Sequence, residues 1–175
     1  MSRTLILLPV LLGACVPAGR PPEAPATPPP TRMAAPAPTM PVPALGSDWR
    51  DWPLTPGGWS YRRDTRGAVA SFGEAGAGPL LMLRCDLSDR RMLLSRSGSL
   101  AAPLTLRSTS TARTVPVQPT GGAPGDVAAA LAPTDPLLDA LAFSRGRFVV
   151  EQANRPPLVV PAHAEIGRVV EDCRG

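Results

Sequence analysis

The chain of 175 residues carries 18 arginines and no lysine, one histidine, three cysteines and 24 prolines, for a net charge of +4. That length holds one ordinary domain, the missing lysine removes Schiff-base and Ser-Lys chemistry, and a lone histidine removes any two-histidine site within one chain. Aromatic residues make up only 4% of the chain, too few for the stacking platforms that hold single-stranded nucleic acid.

The chain opens MSRTLILLPVLLGAC. Arg3 supplies a positive start, and Leu5 to Leu12 form an apolar run of eight residues, far short of the ~20 that a spanning helix needs. Residues 1–14 therefore read as a secretory signal peptide. Leu12-Gly13-Ala14-Cys15 resembles the lipobox of bacterial lipoproteins. The resemblance implies diacylglycerol transfer to the Cys15 thiol, cleavage before it and acylation of the new amino group. Val16 stands where an aspartate commonly holds such proteins in the inner membrane, which implies a palmitate-bearing protein of the outer membrane facing the periplasm. The alternative is an ordinary signal peptide with an incidental cysteine.

Residues 15–47 follow as a tether. Eleven prolines fall between residues 16 and 47, with no aromatic residue. Such a segment buries too little apolar surface to offset its ordering entropy and is expected to be disordered. In a polyproline conformation, at ~3.1 Å per residue, it reaches about 100 Å at most. A proline-rich ligand for a partner is the second reading.

From residue 48 to 175 the composition is that of a globular periplasmic domain, and all seven aromatics lie there. Its 15 arginines face 13 acids, so its charge is nearly balanced and no nucleic-acid face is expected. Ala68 to Phe72 reads as a strand, and Gly73 to Gly78 as a loop. Leu80 to Cys85 and Arg91 to Arg96 read as a hairpin turning through Asp86 to Asp89. Leu104 and Leu106 alternate with Thr105 and Arg107, as in a half-buried strand. Thr114 to Gln118 reads as an edge strand because of Pro116, and Gly121 to Gly125 as a loop. Thr134 is expected to cap a helix with Asp135 and Pro136 in its first turn. Leu137, Leu138, Leu141 and Ala142 form its apolar stripe. Arg145 to Glu151 and Pro157 to Val160 read as a closing hairpin around Asn154-Arg155-Pro156. Pro161 then starts a last helix, with Ile166, Val169, Val170 and Cys173 on one face. The fold expected is α+β: mainly antiparallel β, sandwich-like, with one mid-chain helix and a C-terminal helix packed on the sheet.

With Cys15 lipidated, two cysteines remain in an oxidising compartment. Cys85 ends an inner strand and Cys173 lies on a buried helix face, so a Cys85–Cys173 disulfide is expected. Two free buried thiols are the alternative. No Cys-x-x-Cys supports redox catalysis, and the remaining side chains offer no metal or cofactor ligand set. Trp49, Trp52 and Trp59, interleaved with Pro53, Pro56, Gly57 and Gly58, form a candidate binding surface with Arg62 and Arg63. The tryptophans line a peptide or glycan groove, or they plug one end of the core. The arginine clusters, including Arg145 and Arg147 about Gly146, either hold carboxylates and phosphates or form a solvated surface. His163 beside Glu165 is a candidate general base, or a surface side chain at a helix start.

The layout from residue 59 to 174 resembles two groups of exported bacterial domains: the invasion-associated locus B proteins and the accessory lipoproteins of type VI secretion. The resemblance is carried by the tryptophan-led start, the apolar strand ending in cysteine (LLMLRCD, 80–86) and the late helix with a cysteine (RVVEDCR, 168–174). It implies a disulfide-tied, sandwich-like domain without an active site. The function expected is a lipid-anchored envelope protein that binds or scaffolds, with the membrane and possible envelope proteins or peptidoglycan as partners. A hydrolase or transferase of cell-wall or protein substrates using His163 is the alternative.

Overall fold

The computed structural model describes residues 45–121 and 125–175. The expected signal peptide, Cys15, most of the expected tether and residues 122–124 lie outside them. A 3-10 turn, Trp49–Asp51, leads into ten strands and two helices: β1 Gly58–Asp64, β2 Gly67–Gly73, β3 Leu81–Asp86, β4 Arg91–Ser97, β5 Leu104–Arg107, β6 Ala112–Val115, β7 Gln118–Pro119, β8 Asp126–Leu131, α1 Pro136–Ala142, β9 Arg147–Gln152, β10 Arg155–Pro161 and α2 Ala164–Arg174. The strands form two antiparallel sheets, ordered β1-β2-β3-β4-β8-β7 and β10-β9-β5-β6. The α+β architecture follows the expectation, with one helix mid-chain and one C-terminal. Among the described residues no helix is long and apolar enough to cross a membrane.

Alternation decides which side of the larger sheet is buried. Register aligns Phe72 with Leu81, Ala70 with Leu83, Leu83 with Leu94, and Cys85 with Met92. All are buried, and they join one core with Leu104, Leu106, Phe148, Val150 and Val160 of the smaller sheet. Helix α2 packs on β1 to β4 and on α1. Its stripe Ile166, Val169, Val170 and Cys173 is buried as the 3.6-residue period requires. Cys85 and Cys173 meet there at disulfide distance, with Cα atoms 5.3 Å apart across 88 positions of sequence. At Gly67, which ends the β1–β2 turn with φ +141°, an added Cβ would stand 2.4 Å from the Cys85 carbonyl oxygen. Only glycine fits that approach.

Five details differ from the sequence reading. The sequence suggests Ala68 to Phe72 as the first strand, yet Gly58–Asp64 precedes it as β1 and pairs residue for residue with β2. Its alternation, Trp59 and Tyr61 half-buried with Ser60 and Arg62 exposed, is that of an edge strand. Strand β8, Asp-Val-Ala-Ala-Ala-Leu, escaped because alanine carries little β preference; pairing with β4 holds it in place. The expected single strand over Thr114 to Gln118 is two. Val115 ends β6 in the smaller sheet and Gln118 begins β7 in the larger, so Pro116 lies where the chain changes sheets. Asp135, not Thr134, caps α1, accepting a 2.9 Å hydrogen bond from the Leu137 amide. Pro136 at the first helical position holds the residue before it extended, which makes Asp135 the last residue outside the helix. Finally, Pro161 does not start α2. It closes β10 opposite Arg147, an edge position that tolerates proline, and His163 precedes the helix.

The β3–β4 turn buries a carboxylate. Asp86 accepts hydrogen bonds from the Ser88 hydroxyl (2.5 Å), the Arg66 guanidinium (2.7 Å) and the Ser88 amide (3.1 Å). The Ser88 hydroxyl first and Arg66 second hold this carboxyl well below the usual carboxylate range. A carboxyl depressed on folding adds stability above its unfolded value, near pH 4, and loses it as pH falls through the folded value. Denaturant midpoints at pH 7, 4 and 2.5 are therefore expected to fall on acidification. Asp86→Asn is expected to lower the midpoint at pH 7 and to flatten the drop below pH 4. An unchanged profile in Asp86→Asn would refute the assignment.

Candidate functional site

The predicted tryptophan and arginine surface does not come together as one patch. Trp59 lies half-buried against the core, its ring 5.5 Å from that of Phe72 and its indole N–H donating to the Pro161 carbonyl at 2.8 Å. It plugs one end of the core while one flank faces a hollow beneath the 73–79 loop that Arg62 also lines. Arg62 bonds Asp64 at 2.9 Å on the outer side of β1. Arg63 points the other way and ties β1 to α2 through Asp172, a carboxylate that Tyr61 also bonds. Burial pushes the Asp172 carboxyl up, and the bonds from Arg63 and Tyr61 outweigh it, leaving it below its ordinary value. The Arg168 guanidinium covers the Tyr61 ring at 3.9 Å. These contacts fasten a helix to a sheet edge.

His163 contacts Glu165 at 3.1 Å through Nδ1, two residues along its own chain, with 59% of its side chain exposed. Its remaining surroundings place no serine or cysteine in hydrogen-bond contact among the described residues. No group of three or more His, Cys, Asp or Glu side chains there is arranged to hold a metal ion.

Trp49 and Trp52 belong to the lead-in segment, and this segment borders a hollow of about 940 Å³. Two elements build its walls from local hydrogen bonds. The turn after β5 is closed on itself: the Ser108 hydroxyl accepts from the Ser110 amide at 3.2 Å and the Thr111 amide at 3.1 Å. That turn is latched to the α1–β9 connection, because the Thr109 amide donates to the Ser144 hydroxyl and the Arg145 amide to the Thr109 hydroxyl, both at 3.1 Å. The connection reverses at Gly146, with φ +77°.

Three guanidinium groups line this hollow: Arg50, Arg145 and Arg147. Arg147 donates to the Trp52 carbonyl, which carries no charge. Arg50 makes an exposed contact with Asp48 at 3.3 Å and covers the Trp49 ring at 4.9 Å. The Arg145 side chain has no hydrogen-bond partner among the described residues. The lining carboxylate, Asp139, is held by Arg174 through two bonds of 2.9 and 3.0 Å. Phe143, 80% exposed, stands on the same wall. The sequence reading had marked Arg145 and Arg147 but not Arg50 or Phe143. Phe143 follows the apolar stripe of α1 by one residue and so faces outward, an aromatic off the buried face of its own helix.

Comparison with protein-family models, curated proteins and solved structures finds no match to this chain.

Proposed function

We propose that this chain is a lipid-anchored protein of the bacterial cell envelope, on the outer membrane facing the periplasm, whose folded domain binds or scaffolds rather than catalyses. The Cys85–Cys173 pair carries this reading. A disulfide forms and persists in an oxidising compartment, and the lipobox-like Leu12-Gly13-Ala14-Cys15 would bring the domain there and hold it by several acyl chains. Binding is favoured over hydrolysis because the one histidine sits on open surface beside Glu165, whereas Arg145 and Arg147 of the 940 Å³ hollow have no carboxylate partner among the described residues. The resemblance of its layout to the invasion-associated locus B proteins and the type VI accessory lipoproteins accords with a disulfide-tied sandwich of this kind.

The anchor is tested by metabolic labelling with an alkyne-bearing palmitate. Label is expected on the full chain and lost in Cys15→Ala; label persisting in that variant would overturn the anchor.

A further inference from the structure

We propose that the hollow between α1, the 108–111 turn and the lead-in segment is a docking site for an acidic peptide segment of a partner protein. Its carboxylates would be taken by Arg145 and Arg147, and an apolar side chain between them would rest on Phe143. The proposal deepens the reading of the domain as a binding module and rests on it.

Charge comes first. The chain has no lysine, so arginine by itself says little about any surface. Elsewhere Arg63, Arg66, Arg84, Arg113 and Arg174 each meet a carboxylate within 3.0 Å. Arg90 and Arg168 lack a carboxylate partner among the described residues, but here two such arginines share one hollow with an exposed aromatic. At the hollow Arg145 has no side-chain partner among the described residues and Arg147 has a carbonyl, while Asp139 is already satisfied by Arg174. The lining therefore presents positive charge that nothing in the described fold answers.

The donors available then select the ligand. Anion sites for a phosphate are commonly built from free backbone amides. Here the amides of Thr109, Ser110, Thr111 and Arg145 are all spent on the Ser108, Ser144 and Thr109 hydroxyls. What remains is the Gly146 amide and planar guanidinium forks, which take carboxylates or phosphates alike through two parallel bonds, so the donors select an anion and the aromatic beside them selects a peptide. Beside them stands Phe143, an apolar side chain that folding leaves in water. Arginine with an exposed aromatic is the pairing enriched at protein interfaces and at their strongest contacts. The volume is at the upper end for a small-molecule site and open enough for a short stretch of chain.

The test uses the full chain in detergent and a fluorescein-labelled octapeptide of alternating glutamate and leucine, read by anisotropy at low salt. Saturable binding is expected, at least tenfold tighter than for the glutamine–leucine analogue. Arg145→Glu is expected to weaken it at least tenfold and Phe143→Ala at least fivefold. Both positions are exposed, so unfolding midpoints should match the parent. Arg90→Gln, at an exposed arginine of the β3–β4 turn outside this lining, is expected to leave affinity unchanged. Absence of saturable binding would overturn the site, as would an equal loss in Arg90→Gln. Vesicles of phosphatidylglycerol retained through Arg145 while the peptide is not would overturn it in favour of a lipid headgroup. Palmitate labelling at Cys15 is read separately, so failure of the hollow and failure of the anchor give different results.

Discussion

Replacing Cys85 and Cys173 together by alanine is expected to lower the unfolding free energy by about 4 to 5 kcal/mol, from the chain-entropy cost of a loop spanning 88 positions. The cross-link acts chiefly on the unfolded chain, which loses the conformations in which the ends of that loop lie apart. Its native-state share is local: it fixes the last turn of α2 against β3, where Ile166, Val169 and Val170 already bury the same helix face. Domains of this size are stable by roughly 5 to 15 kcal/mol, so the loss would remove a large part of the total. Denaturant titration of oxidised parent, parent with reductant and the double variant should give one high midpoint and two low, similar ones. A double variant within about 1 kcal/mol of the oxidised parent would show that the pair contributes little.

Phe72→Ala is expected to cost about 3 to 5 kcal/mol, the range for deleting a fully buried phenyl ring. Phe72 has no exposure and sits opposite Leu81 on β3, with Trp59 tilted against it at 5.5 Å. β2 itself is in register with a strand on each side, so the backbone can move little to fill the void, which puts the cost toward the upper part of the range. Phe72→Leu keeps most of the volume and should cost under about 1.5 kcal/mol. Trp59 reports the site directly: its emission should shift to longer wavelength in the alanine variant as water reaches the indole. An alanine variant with parent stability would mean that the ring is not a support of the core.

Where side-chain period and pairing agree, the sequence already discloses the fold. The β3–β4 hairpin and the α2 stripe are examples, because each follows from apolar spacing over six or more residues. The Cys85–Cys173 pairing was legible for the same reason, since both positions could be placed on inward faces. β8 was not legible, because Ala128, Ala129 and Ala130 say nothing about period and only their pairing with β4 makes them strand. The break at Pro116 was read as a single edge; that the chain crosses between sheets there depends on partners far along the sequence. The candidate site was half visible. Arg145 and Arg147 stood out beside Gly146, but Arg50 joins them only through the tertiary fold.

One arginine lies where no surface reading would put it. Arg96 is 1% exposed on the inner side of β4, donating to the Val150 and Pro156 carbonyls, while its Nε has no partner. Burial, with Arg155 nearby, pushes its value down to about 10, so it keeps its charge at neutral pH. The guanidinium thus bridges the two sheets through carbonyl oxygens alone.

The lead-in segment meets the domain at β10, where the Thr55 amide donates to the Val159 carbonyl and the Thr55 hydroxyl accepts from the Val159 amide, each at 2.9 Å. Tension arriving from the N-terminal side loads the Arg147 bond to the Trp52 carbonyl first, then those two, and then peels β1, an outermost strand, away from β2. Past β2 the pull arrives at Cys85, whose sulfur is fastened to the far end of the chain. Against a pull between the two ends of the chain, everything between positions 85 and 173, the arginine-lined hollow's α1 and β9 walls included, is thereby shielded, and the extensible part of the molecule ends at that cysteine.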